Sequence, residues 1–196
     1  MLDALARSNV RATFFMVGEH VHASPRLVQA VLDKGHEIQF HCHQHVRHSD
    51  LSEVEIEHDT RAGLAALARF GVRPSLWRTP WGNVTDGTRS VAKAKQLTLV
   101  RWDIDTQDWS GRAGDEILER VTDQIVGAGS VLMHDALGPG ATRRHVENTV
   151  ELIPRLAAAA LDVGVEIAPL APPPPPASDL ACASAVRAGS GTREAS

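Results

Sequence analysis

Apolar residues in this chain come in two alternating rhythms. Some form short unbroken runs closed by glycine or a polar turn; others recur three and four positions apart over longer stretches. The first rhythm predicts strands buried on both faces, the second amphipathic helices. Residues 2–9 read as the end of such a helix, with Leu2, Leu5 and Ala6 on one face. Ala12-Thr13-Phe14-Phe15-Met16-Val17 follows as a buried strand closed by Gly18. Ser24-Pro25 is an N-cap with proline at the first helical position, opening a helix that carries Leu27, Val28, Val31 and Leu32 inward and ends at Gly35. Glu37 to Phe40 is the next strand.

Ser52-Glu53-Val54-Glu55 has the form of a capping box, opening a helix through Ala62, Leu64, Ala65, Leu67 and Ala68 to Gly71. Pro74 to Arg78 is a strand, residues 86–95 a helix, and Leu97 to Trp102 a strand. Asp115 to Val126 is a helix ended by Gly127, Ser130 to His134 a strand, Arg144 to Leu161 the longest helix, and Gly164 to Leu170 a last strand. Strand and helix therefore alternate, which predicts an α/β fold with parallel crossovers, either an open doubly wound sheet or a closed barrel. In both, the active site lies at the C-terminal ends of the strands. His41, Arg78, Asp108 and His134 all fall at or just after such an end and would gather at one rim. No glycine-rich phosphate loop follows the first strand, so a nucleotide-binding version has little support.

Composition bounds the picture further. The chain has 196 residues, 43% of them apolar, enough for one domain with a sizeable core over residues 1–170. Residues 171–196 begin with Pro172 to Pro176 and continue rich in Ala, Ser and Gly, which predicts a disordered tail. The net charge of -4 is mixed in sign with no basic block, so nucleic acid is not an expected partner. No run approaches the roughly 20 apolar residues of a membrane span. The first residues lack the basic start and apolar centre of a signal peptide. Cys42 and Cys182 are not expected to form a structural disulfide.

The compositional oddity is ten histidines, several clustered in Gly35-His36-Glu37-Ile38-Gln39-Phe40-His41-Cys42-His43-Gln44-His45. His41 and His45 are four residues apart, so one turn could aim both imidazoles at one point, and neutral imidazole is the commonest protein ligand of a divalent transition metal. The bland alternative is a solvated loop, which is also the reading for His43 and His48; His20 and His22 read as surface loop residues. Arg78-Thr79-Pro80-Trp81-Gly82, Asp105-Thr106-Gln107-Asp108-Trp109 and Leu132-Met133-His134 could likewise be a turn, a capped loop and a strand end.

Taken in order after the histidine pair, these segments resemble the motifs of the polysaccharide deacetylase family, the NodB homology domain of carbohydrate esterase family four. His41 and His45 match its two metal-binding histidines, and Gly35-His36-Glu37-Ile38 the segment leading into them. Arg78 to Gly82, Asp105 to Trp109 and Leu132 to His134 match the third, fourth and fifth motifs. Ala12-Thr13-Phe14-Phe15 and the stretch from Val150 to Leu156 resemble family segments too, so the resemblance covers about residues 4–170. It implies a distorted (β/α) barrel and metal-dependent removal of acetyl groups from N-acetylated sugars, with zinc the usual ion and cobalt or another divalent ion an alternative. By this likeness His134 is the general acid that protonates the leaving amine, and Asp108 holds and tunes its imidazole. Trp81 supplies a backbone N–H to the oxyanion and offers a face for a sugar ring. Trp109 and Leu132 shape the acetyl pocket, and Arg78 orients an aspartate base. The implied partner is an acetylated glycan, such as a chitooligosaccharide or peptidoglycan; O-acetyl esterase action on xylan lies within the same machinery.

That aspartate, and its neighbour that would be the third metal ligand, belong to a first strand ending in Thr-Phe-Asp-Asp, which this sequence does not show. Only eleven residues precede Ala12 and they read as helix. The expectation is a barrel without its first strand, from a chain truncated at its N-terminus, with a start placed inside a longer reading frame preferred over loss of the coding piece. Localisation stays open on the same ground. The alternative is a catalytically dead, glycan-binding remnant of the fold.

Overall fold

The two rhythms become strands and helices in the computed structural model, which describes residues 1–170. The tail expected over 171–196, Cys182 included, lies outside the described residues. In chain order the elements are α1 (Leu2–Arg7), β1 (Thr13–Val17), α2 (Gly18–Ala23), α3 (Pro25–Asp33), β2 (Glu37–Cys42), α4 (Glu53–Ala68), β3 (Leu76–Trp77), α5 (Asp86–Ala94), β4 (Thr98–Leu99), β5 (Ile104–Asp105), α6 (Gly114–Val121), β6 (Val131–Leu132) and α7 (Glu147–Asp162).

All strand pairs are parallel, in the order β1-β2-β3-β4 with a separate pair β5-β6. Neighbours in space are neighbours in sequence, so the winding never reverses as it does at the switch point of a doubly wound sheet. Of the two architectures open to the sequence, this is the barrel, distorted and not closed by ladder pairing between β4 and β5. One apolar core lies between β1–β4 and their helices, built on Val28, Ile38, Phe40, Leu67 and Trp77. A second joins β5 and β6 to α6 and α7 through Ile104, Ile117, Leu152 and Leu156. A third packs Ala4 and Leu5 of α1 on Ile153 of α7.

Local chemistry explains the joints that position the rim. After α3, Gly35 at φ 74 lets its N–H reach the Leu32 carbonyl and the His36 N–H reach that of Val31, a Schellman closure that delivers the chain into β2. The capping box of α4 is formed: the Glu55 N–H donates to Ser52 Oγ and the Ser52 N–H to Glu55 Oε2 at 2.7 Å. Ser24 precedes α3 with Pro25 at its start, but its side chain makes no capping bond.

Several expectations need correcting. The segment 164–170 forms no strand; no ladder neighbour meets its backbone among the described residues, Pro169 has no N–H to offer, and Leu170 donates to the Thr13 hydroxyl instead. β1 is half-buried along its whole length, because it pairs only with β2 and its other edge carries no strand among the described residues. Leu27 is exposed on α3, and Ala6 on α1. On α4 the buried stripe is Ile56, Thr60, Gly63, Ala66 and Leu67, shifted from the apolar positions because glycine at 63 lets the helix backbone close on β2. His20 and His22 are exposed as expected, but on a helix, α2, and β5 was hidden inside what reads as a loop. Pro154 stands inside α7 and leaves the Val150 carbonyl without its helical donor.

Candidate active site

β2 pairs with β1 in step from Thr13 opposite Glu37 to Met16 opposite Phe40, and then Val17 meets Cys42. His41 is the residue left over, a bulge that re-aims its side chain at the C-terminal end of the strand. Its Nδ1 meets the main-chain carbonyl of Arg78. A carbonyl can only accept, so Nδ1 carries the proton and the Nε2 lone pair is left for a ligand. The ring of His45 lies 5.0 Å from that of His41, tilted by 59°. His45 Nδ1 is buried without a hydrogen-bond partner among the described residues. Burial pulls His41 down to about 3 and lowers His45 as well, and His134, within electrostatic reach of both, adds to each shift. Both rings are thereby kept in the neutral form that binds metals.

The loop between them is gripped from α4. Both carboxylate oxygens of Asp59 accept backbone N–H groups, from His43 at 2.8 Å and Gln44 at 2.7 Å. The indole of Trp77 donates to the His41 carbonyl at 2.8 Å. Cys42 is fully buried, and that burial pushes its thiol up. Catalytic zinc takes three protein ligands. His41 and His45 fit two of those positions, and among the described residues no third histidine, cysteine or carboxylate joins them.

Arg78 follows β3, with its guanidinium 4.2 Å from the centre of the Phe15 ring. Burial lowers it to about 10 against the pull of Asp135, and it makes no ion pair among the described residues. Trp81 sits in the left-handed region at φ 52, followed by Gly82 at φ 62. A Cβ on Gly82 would come within 2.8 Å of Trp102, so this turn has no room for another residue there. The indole of Trp81 is 38% exposed. Arg47 lies over it at 4.5 Å and His45 meets it at 4.3 Å, so one face that the sequence reading left for a sugar is already covered. His48 is no solvated loop residue: it is buried against Trp77 and bonded through Nδ1 to Thr88 Oγ1 at 2.9 Å.

On the far side of the rim, the loop after β5 is tied to the end of β6 where Thr106 Oγ1 donates to the Leu132 carbonyl at 2.7 Å. Leu132 itself is buried and Trp109 is 37% exposed. Gln107 then turns through φ 51 into the short helical turn Asp108–Ser110. This brings Asp108 under His134. The His134 Nδ1–H donates to Asp108 Oδ1 at 2.7 Å, and the His134 backbone N–H to Oδ2 at 2.8 Å. Burial alone would raise the Asp108 carboxyl, but the bonds from His134 and Thr149 outweigh it and hold the group below its ordinary range. The His134 side chain is 39% exposed, leaving Nε2 open to the rim while Asp108 is completely enclosed.

Four polar residues that sequence reasoning passed over complete the site: Asp59, Arg143, Asn148 and Thr149. Thr149 Oγ1 donates to Asp108 Oδ2 at 2.6 Å and Asn148 Nδ2 to the Asp108 carbonyl at 2.8 Å. A signal was available for two of them. Asn148 and Thr149 lie four and three residues before Leu152 on the buried stripe of α7, where polar side chains need a partner.

The model of the polysaccharide deacetylase family matches residues 1–100. Among curated proteins, two peptidoglycan-N-acetylglucosamine deacetylases of Bacillus cereus are similar. One is 32% identical over 158 residues, which cover 80% of this chain and 73% of the relative; the other is 29% identical over 157 residues, 80% of this chain and 57% of the relative. The chain thus spans little more than half the length of the second. Among solved structures, a family 4 carbohydrate esterase from Streptomyces lividans in complex with acetate superposes with a TM-score of 0.74 at 32% identity, covering 85% of this chain and 82% of its own.

Proposed function

The chain belongs to the polysaccharide deacetylase family, and we propose that it works as a hydrolase removing acetyl groups from the N-acetylated sugars of a glycan of the chitooligosaccharide or peptidoglycan kind. The observation that carries this is the His134–Asp108 pair, placed within electrostatic reach of the buried neutral histidines His41 and His45.

In this reading the acetamide enters between the two halves of the rim. Trp109 and Leu132 bound the acetyl methyl, and the Trp81 N–H, aimed by the left-handed turn, faces the carbonyl oxygen. Water adds to the carbonyl carbon, the C–N bond breaks, and His134 Nε2 delivers its proton to the departing nitrogen, giving acetate and an amino sugar. Asp108 holds the ring and balances the imidazolium charge before that transfer. The proton that the attacking water loses needs a carboxylate base; Arg78, with no ion pair among the described residues, would orient that base, and no described residue is assigned to it. A divalent ion, zinc or cobalt, with His41 and His45 among its ligands belongs to the proposal; bound there, it would act as a Lewis acid on the carbonyl and lower the pKa of water toward about 7. Its third protein ligand would have to come from beyond the described residues.

The test is acetate release from N-acetylglucosamine oligomers and from peptidoglycan, with zinc or cobalt added, by the chain and by its H134N variant. Release that is lost in H134N supports the reading. A folded chain that releases no acetate with either ion would overturn it for this chain.

A further inference from the structure

We infer that Arg143 is a positioning residue, which with Thr149 locks the Asp108 carboxylate and the main chain of His134 in the one orientation that presents Asp108 Oδ1 to the imidazole. The inference rests on the roles proposed above for those two residues.

The two oxygens of Asp108 have different surroundings. Oδ2 receives three donors: the His134 backbone N–H at 2.8 Å, Thr149 Oγ1 at 2.6 Å and Arg143 Nη1 at 3.2 Å. Oδ1 receives the His134 ring at 2.7 Å, its one donor among the described residues. A carboxylate fixed at one oxygen by three bonds cannot rotate, so the other oxygen is committed to the imidazole. The same guanidinium fixes the histidine. Arg143 Nη2 donates to the His134 carbonyl at 2.9 Å and to the Ala136 carbonyl at 3.0 Å, while the His134 N–H is held by Asp108 Oδ2, so the main chain of His134 is held on both sides of its Cα. Arg143 is itself fixed: its side chain is 2% exposed, Nη1 also donates to the Asp108 carbonyl at 3.3 Å, and its backbone N–H donates to the Trp109 carbonyl at 3.2 Å.

This arrangement needs a planar fork. One guanidinium reaches a carboxylate, the carbonyl of the same aspartate and two carbonyls of the facing loop, which a lysine ammonium cannot do with a single nitrogen. Three of its acceptors belong to the proton-donating histidine and its partner, the Asp108 carboxylate and the two carbonyls of Asp108 and His134; the others are the Ala136 carbonyl and the side-chain oxygens of Asn148 and Thr149, and Thr149 itself bonds Asp108.

The test reads position separately from activity. In the intact chain the His134 Nδ1–H should give a far-downfield proton resonance in NMR, assigned by its loss in H134Q. In R143A the far-UV circular dichroism should persist while that resonance is lost or broadened, and kcat for acetate release should fall about 10- to 100-fold with KM little changed, as a small misplacement of a reacting group does. Added guanidinium ion should restore both, and R143K should restore neither fully. If R143A does not fold, T149V and R143K are read by the same two measurements. A folded variant that keeps the wild-type resonance, or that loses activity with the resonance unchanged, overturns the inference. If the wild-type chain releases no acetate, the resonance still decides on positioning, and only the proposed activity falls.

Discussion

His41 gives its Nδ1 proton to the carbonyl of Arg78, so the bulge on β2 and the first residue after β3 fix each other. The bond joins two motifs that lie far apart in sequence. It sets the tautomer of the imidazole through main-chain geometry and leaves the Arg78 guanidinium free for another task. A metal-ligating histidine usually has its second nitrogen held in this way.

Removing either imidazole should therefore abolish cobalt binding at the rim. H41A and H45A are each expected to lower cobalt affinity by more than about 100-fold, beyond what loss of a supporting partner alone costs. The visible absorption of bound cobalt during titration measures it. Unchanged titration curves in both variants would mean the pair is not a ligand site.

Asp108 predicts a pH dependence of stability. Its carboxyl is held below the ordinary carboxylate range, so the unfolded chain binds a proton that the folded chain does not. That stabilisation is complete above the unfolded pKa of about 3.9 and is lost as pH falls through the lower folded value. D108N should lose about 3–5 kcal/mol at pH 7, because Arg143 is left buried without its counter-ion. Its stability should also fall less steeply than that of the wild type below about pH 4. Urea unfolding of both chains from pH 3 to 7 checks the sign and the slope.

Much of this site could be read from sequence where a chemical residue type coincides with a strand end. His41, Arg78 and His134 stand at one rim because apolar runs stop at or just before them; Asp108 lies six residues past the predicted strand Leu97 to Trp102, and the strand that delivers it, β5, is not visible in the pattern. What escaped depends on packing between distant segments. Asp59 lies on an exposed-looking helix turn and matters only because α4 crosses the histidine loop. Arg143 follows a glycine-rich stretch whose periodicity says nothing, and it acquires its partners only when the loops carrying Asp108 and His134 meet α7, which brings Asn148 and Thr149. Strand lengths were overestimated for a related reason. Apolar runs such as Leu97 to Trp102 reach further than the ladder partners available to them, so β4 is only Thr98–Leu99. β1 shows the converse, an apolar run left half-buried for want of a second neighbour.

Asp59 should govern the histidine loop without touching any ligand. D59N keeps the shape but replaces one accepting oxygen with a donor that faces a backbone N–H, so one of two charge-assisted bonds becomes a clash of donors. The expected cost is about 1–3 kcal/mol in stability. Cobalt affinity should fall about 10- to 100-fold while the His134 resonance stays in place. Loss of stability with undiminished cobalt affinity would show that the loop does not need this grip.

Gly63 tests how closely α4 must approach the same loop. A Cβ there would come within 2.5 Å of the Phe40 ring and 3.2 Å of the His43 nitrogen. The ring belongs to a side chain with no exposed surface, and the nitrogen is backbone already bonded to Asp59, so neither can yield freely. G63A should therefore gain nothing from the better helix propensity of alanine, worth about 1 kcal/mol at an exposed site. Overpacking should dominate, with a net loss of about 1–3 kcal/mol in urea unfolding. Because the strain is relieved by pushing α4 off β2, the Asp59 bonds to His43 and Gln44 should lengthen as well. G63A and D59N should then be less than additive in their effect on cobalt affinity, since both act through one contact. Full additivity would separate helix packing from the placement of the histidines.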